Sequence, residues 1–282
     1  MSFTINTNLG ALQAYNALAR VNADTQKAQF RLATTKRINS VADDTSGYSV
    51  GKKLEAQTMV QKAELNNIAS GKNYLATAES ALQQVNDKLN QISAKFVDNS
   101  DPLKDKTSLA SDIQTLATEV QSILKNTNIN GTYLLVSSNQ SLTSGVAIAT
   151  FDVGGDSFGI DLNSKLAIVS VNTAIASLTV ITSADLSTAA TVTAINLNLG
   201  TAVGNVRSAL GYVGNQSQSL DSRQDYLTAA IANNTATISK LFDADMAAEQ
   251  LNATKGQISG QVATAMLSQM NTGPQALLSL FR

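Results

Sequence analysis

The sequence predicts a mainly α-helical fold, in which long antiparallel, coiled-coil-like helices from both chain ends flank a small β-rich insert. Three observations carry that expectation. Ile68, Leu75, Leu82, Leu89 and Phe96 recur every seventh residue, and Ala78, Val85 and Ile92 fill the three-and-four positions between them, as a and d sites do along one helix. Leu109, Ile113, Leu116, Val120 and Ile123 repeat the four-three spacing, while Val192, Leu199, Val206, Val213, Leu220 and Leu227 form another seam at intervals of seven. Between these two seams the pattern turns strand-like, with short runs rich in Val, Ile and Phe separated by Gly, Asp, Asn and Ser. Each apolar stripe needs a partner, because moving a Leu, Val or Ile out of water is worth roughly 1.5–3 kcal/mol. The N- and C-terminal halves must therefore pack side by side.

Taken in order, residues 1–19 contain no charged side chain, and Leu9, Leu12, Tyr15 and Leu18 mark a helical face three residues apart. The other end is similar: residues 256–281 are also free of charge, and Ile258, Val262, Ala265 and Met266 trace a face before Leu277, Leu278, Leu280 and Phe281. Both segments read as assembly surfaces, since apolar helix faces left in water invite association. Pairing of the two ends inside one monomer is the alternative, and it would still leave uncharged surface exposed. Helix continues with charge over 21–37. A break is expected over 38–48, where Asn39, Ser40, Asp43, Asp44, Thr45 and Ser46 are turn and N-cap residues and Gly47 relieves the backbone. The long seam helix follows and stops at 98–102, before Pro102. A third helix over 105–127 completes an antiparallel hairpin. Asn130-Gly131 signals a turn, and strands are expected at 133–136, 146–153, 158–162 and 166–171, with Gly154-Gly155-Asp156 as a hairpin tip. Helical periodicity resumes near 187 and runs almost to the C-terminus, with interruptions expected at Gly211 and Gly214 and at 243–245.

Composition narrows the function. Only 15% of the 282 residues are charged, against about 25% in an average soluble domain, and the polar remainder is mostly Asn, Gln, Ser and Thr. A net charge of -1 offers no basic stripe for nucleic acid. No apolar run reaches membrane-spanning length, and residues 1–19 lack the basic start of a secretory signal. Cysteine, histidine and tryptophan are absent, which excludes disulfides, Cys or His metal sites, thiol nucleophiles and His-based triads. Neither an enzyme activity nor a cofactor is expected. Ser122-Ile123-Leu124-Lys125 fits the SxxK pattern without its companion motifs and reads as an ordinary helix face. Asp243, Asp245 and Glu249 lack the spacing of a calcium loop and read as helix capping and surface charge.

Several separate motifs, in order, give the chain its resemblance to bacterial flagellin. Ile5-Asn6-Thr7-Asn8 and the run Leu32-Ala33-Thr34-Thr35-Lys36-Arg37-Ile38-Asn39-Ser40-Val41-Ala42-Asp43-Asp44-Thr45-Ser46-Gly47 look like that family's N-terminal signature. Thr127-Asn128-Ile129-Asn130-Gly131, Asp243-Ala244-Asp245-Met246-Ala247-Ala248-Glu249 and the tail from Gln269-Met270-Asn271 to Arg282 are similar to its later segments. The resemblance covers residues 1 to about 137 and 190–282. It implies three regions: 1–40 with 245–282 as an inner-tube coiled coil, 41–137 with 190–244 as a heptad bundle, and 138–189 as a small outer insert. On that basis Leu9, Leu12, Tyr15, Leu18, Ile258, Val262, Met266, Leu278 and Phe281 are expected in the inner tube. Ile68, Leu75, Leu82, Leu89, Phe96, Leu109, Ile113, Leu116, Val120, Val206, Val213 and Leu220 would form the bundle seam, and Lys36, Arg37, Asn39, Asp43 and Asp44 the motif loop.

The resemblance further implies a secreted, self-polymerising filament subunit for swimming motility, exported unfolded by the flagellar type III route. Its partners would be an export chaperone, hook-associated junction and cap proteins, and other flagellins in a shared filament. Two departures stand out. The family usually has Gly where Thr35 stands, so a less flexible turn is expected. Its Arg-x-x-x-Leu surface, read by an innate immune receptor, aligns here with Gln91 and Lys95, with Asp112 on the neighbouring helix, which implies weak receptor activation. The competing readings are a hook–filament junction protein and a secreted needle- or tip-like protein that binds host cells.

Overall fold

A computed structural model describes residues 9–135, 149–153, 156–160 and 168–280. The elements run α1 (Leu9–Thr34), α2 (Thr45–Asp98), α3 (Lys106–Asn126), β1 (Asn128–Ile129), β2 (Thr132–Tyr133), β3 (Ala149–Val153), β4 (Asp156–Ile160), α4 (Ile168–Leu178), α5 (Ser183–Ser187), α6 (Ala189–Phe242) and α7 (Met246–Leu280). The chain is mainly helical, with long helices from both ends. It divides into two compact units, one taking residues up to 59 and from 232 onward, the other taking 60–231.

In the second unit the predicted a and d residues of α2 are the core. Ile68, Leu75, Ala78, Leu82, Val85, Leu89, Ile92 and Phe96 are all buried and share one cluster with Leu199, Val206, Val213, Leu220 and Leu227 of α6, Val192 lying at its edge. The α3 helix starts on Asp105, whose carboxylate accepts from Thr107 N and Ser108 N and holds its own pKa below the ordinary value, the Ser108 hydroxyl contributing most. Leu109, Ile113 and Val120 of α3 are buried as expected. Its centre line, however, runs through Ala110, Ala117 and Leu124, and Leu116 and Ile123 are only partly buried at the edge. The small side chains of Ala110 and Ala117 suit close approach of the helix, which rotates the larger neighbours outward.

Four expectations for this unit are corrected. The run at 166–171, read as a strand, enters α4 at Ile168. Its β-branched residues favour a strand locally, but Val171, Ile175 and Leu178 recur at helical spacing and are buried in the core, and that burial outweighs propensity. Gly211 and Gly214 do not interrupt α6, which runs unbroken across them. The strand expected at 133–136 is confined to Thr132–Tyr133. Asn130 (φ 50) and Gly131 (φ 79) form the tight left-handed turn that joins it to β1; beyond it Leu134, whose N donates to Thr127 O at 2.9 Å, and Leu135 are fully buried. In the insert, β3 and β4 pair antiparallel from Ala149↔Ile160 to Val153↔Asp156, so the second strand begins two residues earlier than the expected 158–162 and takes in Asp156, which was expected in the hairpin tip; Gly154 and Gly155 lie outside the described residues.

Helices α4 and α5 are therefore part of the helical body. Gln114 Nε2 donates to Ile181 O at 2.6 Å, and Asn99 Nδ2 and Lys106 Nζ donate to Leu186 O at 3.0 and 3.4 Å. A capping box between Thr182 and Asp185 starts α5.

Candidate assembly surface

The first unit is built on α1 and α7, which pair antiparallel. Their seam is made of small side chains. Ala28 and Ala253 are buried, and a Cβ placed on Gly256 would stand 2.1 Å from Thr25 Oγ1, so only glycine permits this approach. Along α1, Ala11, Ala14, Leu18, Val21, Thr25 and Ala28 are half-buried or buried, a run with four-three spacing. Arg31 Nη1 closes the deep end of the seam on Glu249 Oε1 at 3.0 Å.

This arrangement separates the residues expected on one face. Leu18 lies on the seam side, whereas Leu9, Leu12 and Tyr15 are 65, 57 and 62% exposed, and Ile258, Val262 and Met266 are 57, 52 and 60% exposed. Small residues allow the helix axes to close up, so the large apolar side chains are left facing water. The side chain of Leu278 and the whole of Phe281 lie outside the described residues.

Both helix breaks of this unit meet in one joint. Helix α1 stops at Thr34, and Thr35 turns the chain at φ 58, in the left-handed region. Lys36 then forms an isolated antiparallel bridge with Asp243. Ala244 N donates to Thr35 O at 3.0 Å, Arg37 N to Phe242 O at 2.6 Å, and the Arg37 guanidinium to Leu241 O at 3.1 Å. Asn39 Nδ2 caps Lys36 O at 2.8 Å. Asp43 accepts from Asn39 N at 3.2 Å and Ser40 N at 3.1 Å and pairs with Lys27 at 3.0 Å; Lys27 chiefly, then these N–H groups, hold its carboxyl far below the ordinary carboxylate range. Asp44 accepts from Gly47 N at 2.8 Å and so caps α2. Gly47 lies inside the first turn of α2, not in a relieving loop: a Cβ there would stand 2.4 Å from Asp44 Oδ2.

Phe242 is the residue sequence reasoning missed. It is buried against Gly51, edge-on to the Tyr48 ring at 6.1 Å and beneath Lys36 Nζ at 5.7 Å. The three acids near 243–249 have separate jobs: Asp243 accepts from Ser239, Asp245 caps α7 through Ala247 N and Ala248 N, and Glu249 holds Arg31. In the second unit, Lys95 pairs with Asp112 at 2.7 Å and Lys88 with Glu119 at 2.9 Å, two cross-helix rungs seven residues apart on each helix, while Gln91 is exposed beside them.

Long heptad helices drawn from both chain ends, and terminal helices whose outer ends carry no charge and which pair along small residues, define a structural protein of the helical, filament-building class. Two family models match the sequence, the bacterial flagellin N-terminal helical region over residues 5–140 and the bacterial flagellin C-terminal helical region over 192–281. The chain is 30% identical to a flagellin of Halalkalibacterium halodurans over 280 residues, covering 99% of both chains. It is 29% identical over 289 residues to a flagellin of Listeria innocua (98% of both), and 28% identical over 292 residues to flagellin FlaB1 of Treponema pallidum (99% of both). Among solved structures it shares its fold with a flagellar hook-associated protein from Vibrio parahaemolyticus, at a TM-score of 0.53 and 15% identity, over 72% of this chain and 98% of that one. The chain belongs to the bacterial flagellin family, whose members are structural subunits of the flagellar filament.

Proposed function

We propose that this chain polymerises through its terminal helices into the extracellular flagellar filament used for swimming. The observation that carries this reading is the large apolar set Leu9, Leu12, Tyr15, Ile258, Val262 and Met266, which faces water although α1 and α7 are already paired. Several large apolar side chains exposed on the same pair of helices mark an association site, and each such side chain gains roughly 1.5–3 kcal/mol when a neighbouring copy covers it. In this reading residues 1–40 and 245–282 form the inner tube, 41–137 and 190–244 the surrounding bundle, and 138–189 the outer insert, of which α4 and α5 pack into the bundle core and, among the described residues, only the β3–β4 hairpin stands apart from it. The chain acts without catalysis or cofactor.

Export would follow the flagellar type III route in an unfolded state, which the absence of cysteine favours because no covalent staple must be broken. A flagellar export chaperone would hold the C-terminal segment beforehand. In the filament the neighbours are further copies, other flagellins, and hook-associated junction and cap proteins at the ends. Innate immune receptor activation is weak in this reading, because Gln91 and Lys95 replace the family's recognition pair and Lys95 is committed to Asp112.

Negative-stain microscopy of purified chain, seeded or salted, tests the proposal. Long uniform filaments are expected; protein that stays monomeric at every concentration overturns it. Short capped oligomers would replace it with the needle- or tip-like reading. Presence in only a few copies per sheared filament would replace it with the junction reading.

A further inference from the structure

The charged side chains of α1 and α7 are Arg20, Asp24, Lys27, Arg31, Glu249 and Lys255. Lys27 pairs with Asp43, and Arg31 pairs through Nη1 with Glu249. Arg20, Asp24 and Lys255 form no hydrogen bond or ion pair with any described residue. Asp24 on α1 and Lys255 on α7 nevertheless line the same cleft, about 360 Å³ in volume, and they are not within ion-pair distance of each other. Asn252, Ser259, Lys27 and Glu249 also line it, beside the apolar Val21 and Ala28, and it includes Arg31, whose Nε is buried with no acceptor among the described residues.

A lone exposed charge costs nothing in a single copy. Covering it with a neighbour changes that, because the effective penalty of desolvating an ion in protein is several kcal/mol unless a counter-charge and hydrogen bonds replace the water. Head-to-tail polymers repeat one heterologous contact, so the two halves of that contact must both be present on every copy. Asp24 and Lys255 meet this requirement: opposite in sign, both unspent, and both at the cleft between the helices that carry the apolar assembly stripe.

We propose that Asp24 of one copy pairs with Lys255 of the next across this cleft, and that this pair sets the register in which terminal helices of successive copies dock. The inference rests on the polymerisation reading above and adds its residue-level partner. The apolar stripe supplies adhesion without direction, whereas a charge pair rewards one register and penalises the slipped ones.

Full-length Asp24→Lys, Lys255→Glu and the double variant D24K/K255E test it by seeded growth. Each single variant places like charges at the contact, so its critical concentration should rise about tenfold or more, the effect of roughly 1.4 kcal/mol. The double variant should return close to the parent value. An equimolar mixture of the two single variants should also recover, because alternating copies restore opposite charges at every contact. Unaltered growth of both single variants overturns the proposal. Recovery in the double variant but not in the mixture also overturns it, since the pair would then form within one chain. Rescue of D24K by Arg20→Glu in place of Lys255→Glu names Arg20 as the partner and overturns it as well. Circular dichroism should show parental helicity; where a charge reversal lowers it, the neutral Asp24→Asn and Lys255→Gln variants take its place, with a smaller rise and a weaker salt dependence expected. Parent protein that does not polymerise defeats the filament reading itself, whereas a polymerising parent with indifferent variants defeats only this pair.

Discussion

At Thr35, a non-glycine residue, the backbone takes φ 58, in the left-handed region. A β-branched residue in that region is strained by about 1 kcal/mol or more, and the strain is held by the backbone bond from Ala244 N. Asn tolerates the conformation, so Thr35→Asn should raise the unfolding free energy by about 0.5–1 kcal/mol, read by chemical denaturation. Gly51 answers to a different constraint. A Cβ there would stand 1.8 Å from Phe242 Cε2, so Gly51→Ala should cost about 1–3 kcal/mol through displacement of the Phe242 ring. Asp43 sets the acid response of the joint. Its folded-state pKa is lowered by Lys27 and by the Asn39 and Ser40 N–H groups. It therefore contributes stability that is fully present above the unfolded carboxylate value of about 3.9 and is lost as pH falls below it. Asp43→Asn should lower stability at neutral pH and flatten the loss between about pH 4 and the acid end, measured by denaturation across pH. The acids and the Asn39 turn were readable as capping residues in the sequence. Phe242 was not, because its burial depends on Gly51, nearly two hundred residues earlier in the chain.

At the scale of elements, periodicity proved a better guide than propensity. The sevenfold seam of α2 was legible because large apolar residues occupy it from Ile68 to Phe96 and every one of them is buried. Leu82→Asp would place an uncompensated charge in that seam, at a cost of several kcal/mol. It should collapse the helical signal of the isolated monomer in circular dichroism. The α4 segment was misread where Ile168, Val169 and Val171 suggested a strand, since the partner that makes it a helix is the buried face of α3. Glycines in α6 were misread as breaks. Nothing lies within 4 Å of a Cβ built at Gly200, Gly204, Gly211 or Gly214, so each is replaceable in the monomer. Gly200→Ala and Gly204→Ala should each raise helix stability by about 1 kcal/mol, seen as a higher melting temperature. The α1/α7 seam was present in the sequence as Ala11, Ala14, Leu18, Val21, Thr25 and Ala28. Apart from Leu18 and Val21 it holds no large apolar side chain to mark it as a stripe, because close helix packing selects small ones.

For the whole molecule the decisive contrast is between a self-sufficient core and an unsatisfied pair of terminal helices. Removing residues 1–19 or 256–282 should leave the heptad helices folded by circular dichroism and abolish filament growth by electron microscopy, because the α2, α3 and α6 core uses none of those side chains. A receptor reporter assay with purified monomer should respond more weakly than to an enterobacterial flagellin; a response of equal strength would reject the reading of Gln91, Lys95 and Asp112. By itself the sequence determined the helical class, the heptad seams, the charge-free ends and, through its motifs, the flagellin family, since these are properties of composition and spacing along one chain. Only the tertiary structure decided which side of α1 and α7 is spent on pairing, how the two helix breaks join around Phe242, and which charges are left without partners among the described residues. Those depend on how closely two helices approach, and the fit of small side chains across an interface sets that distance.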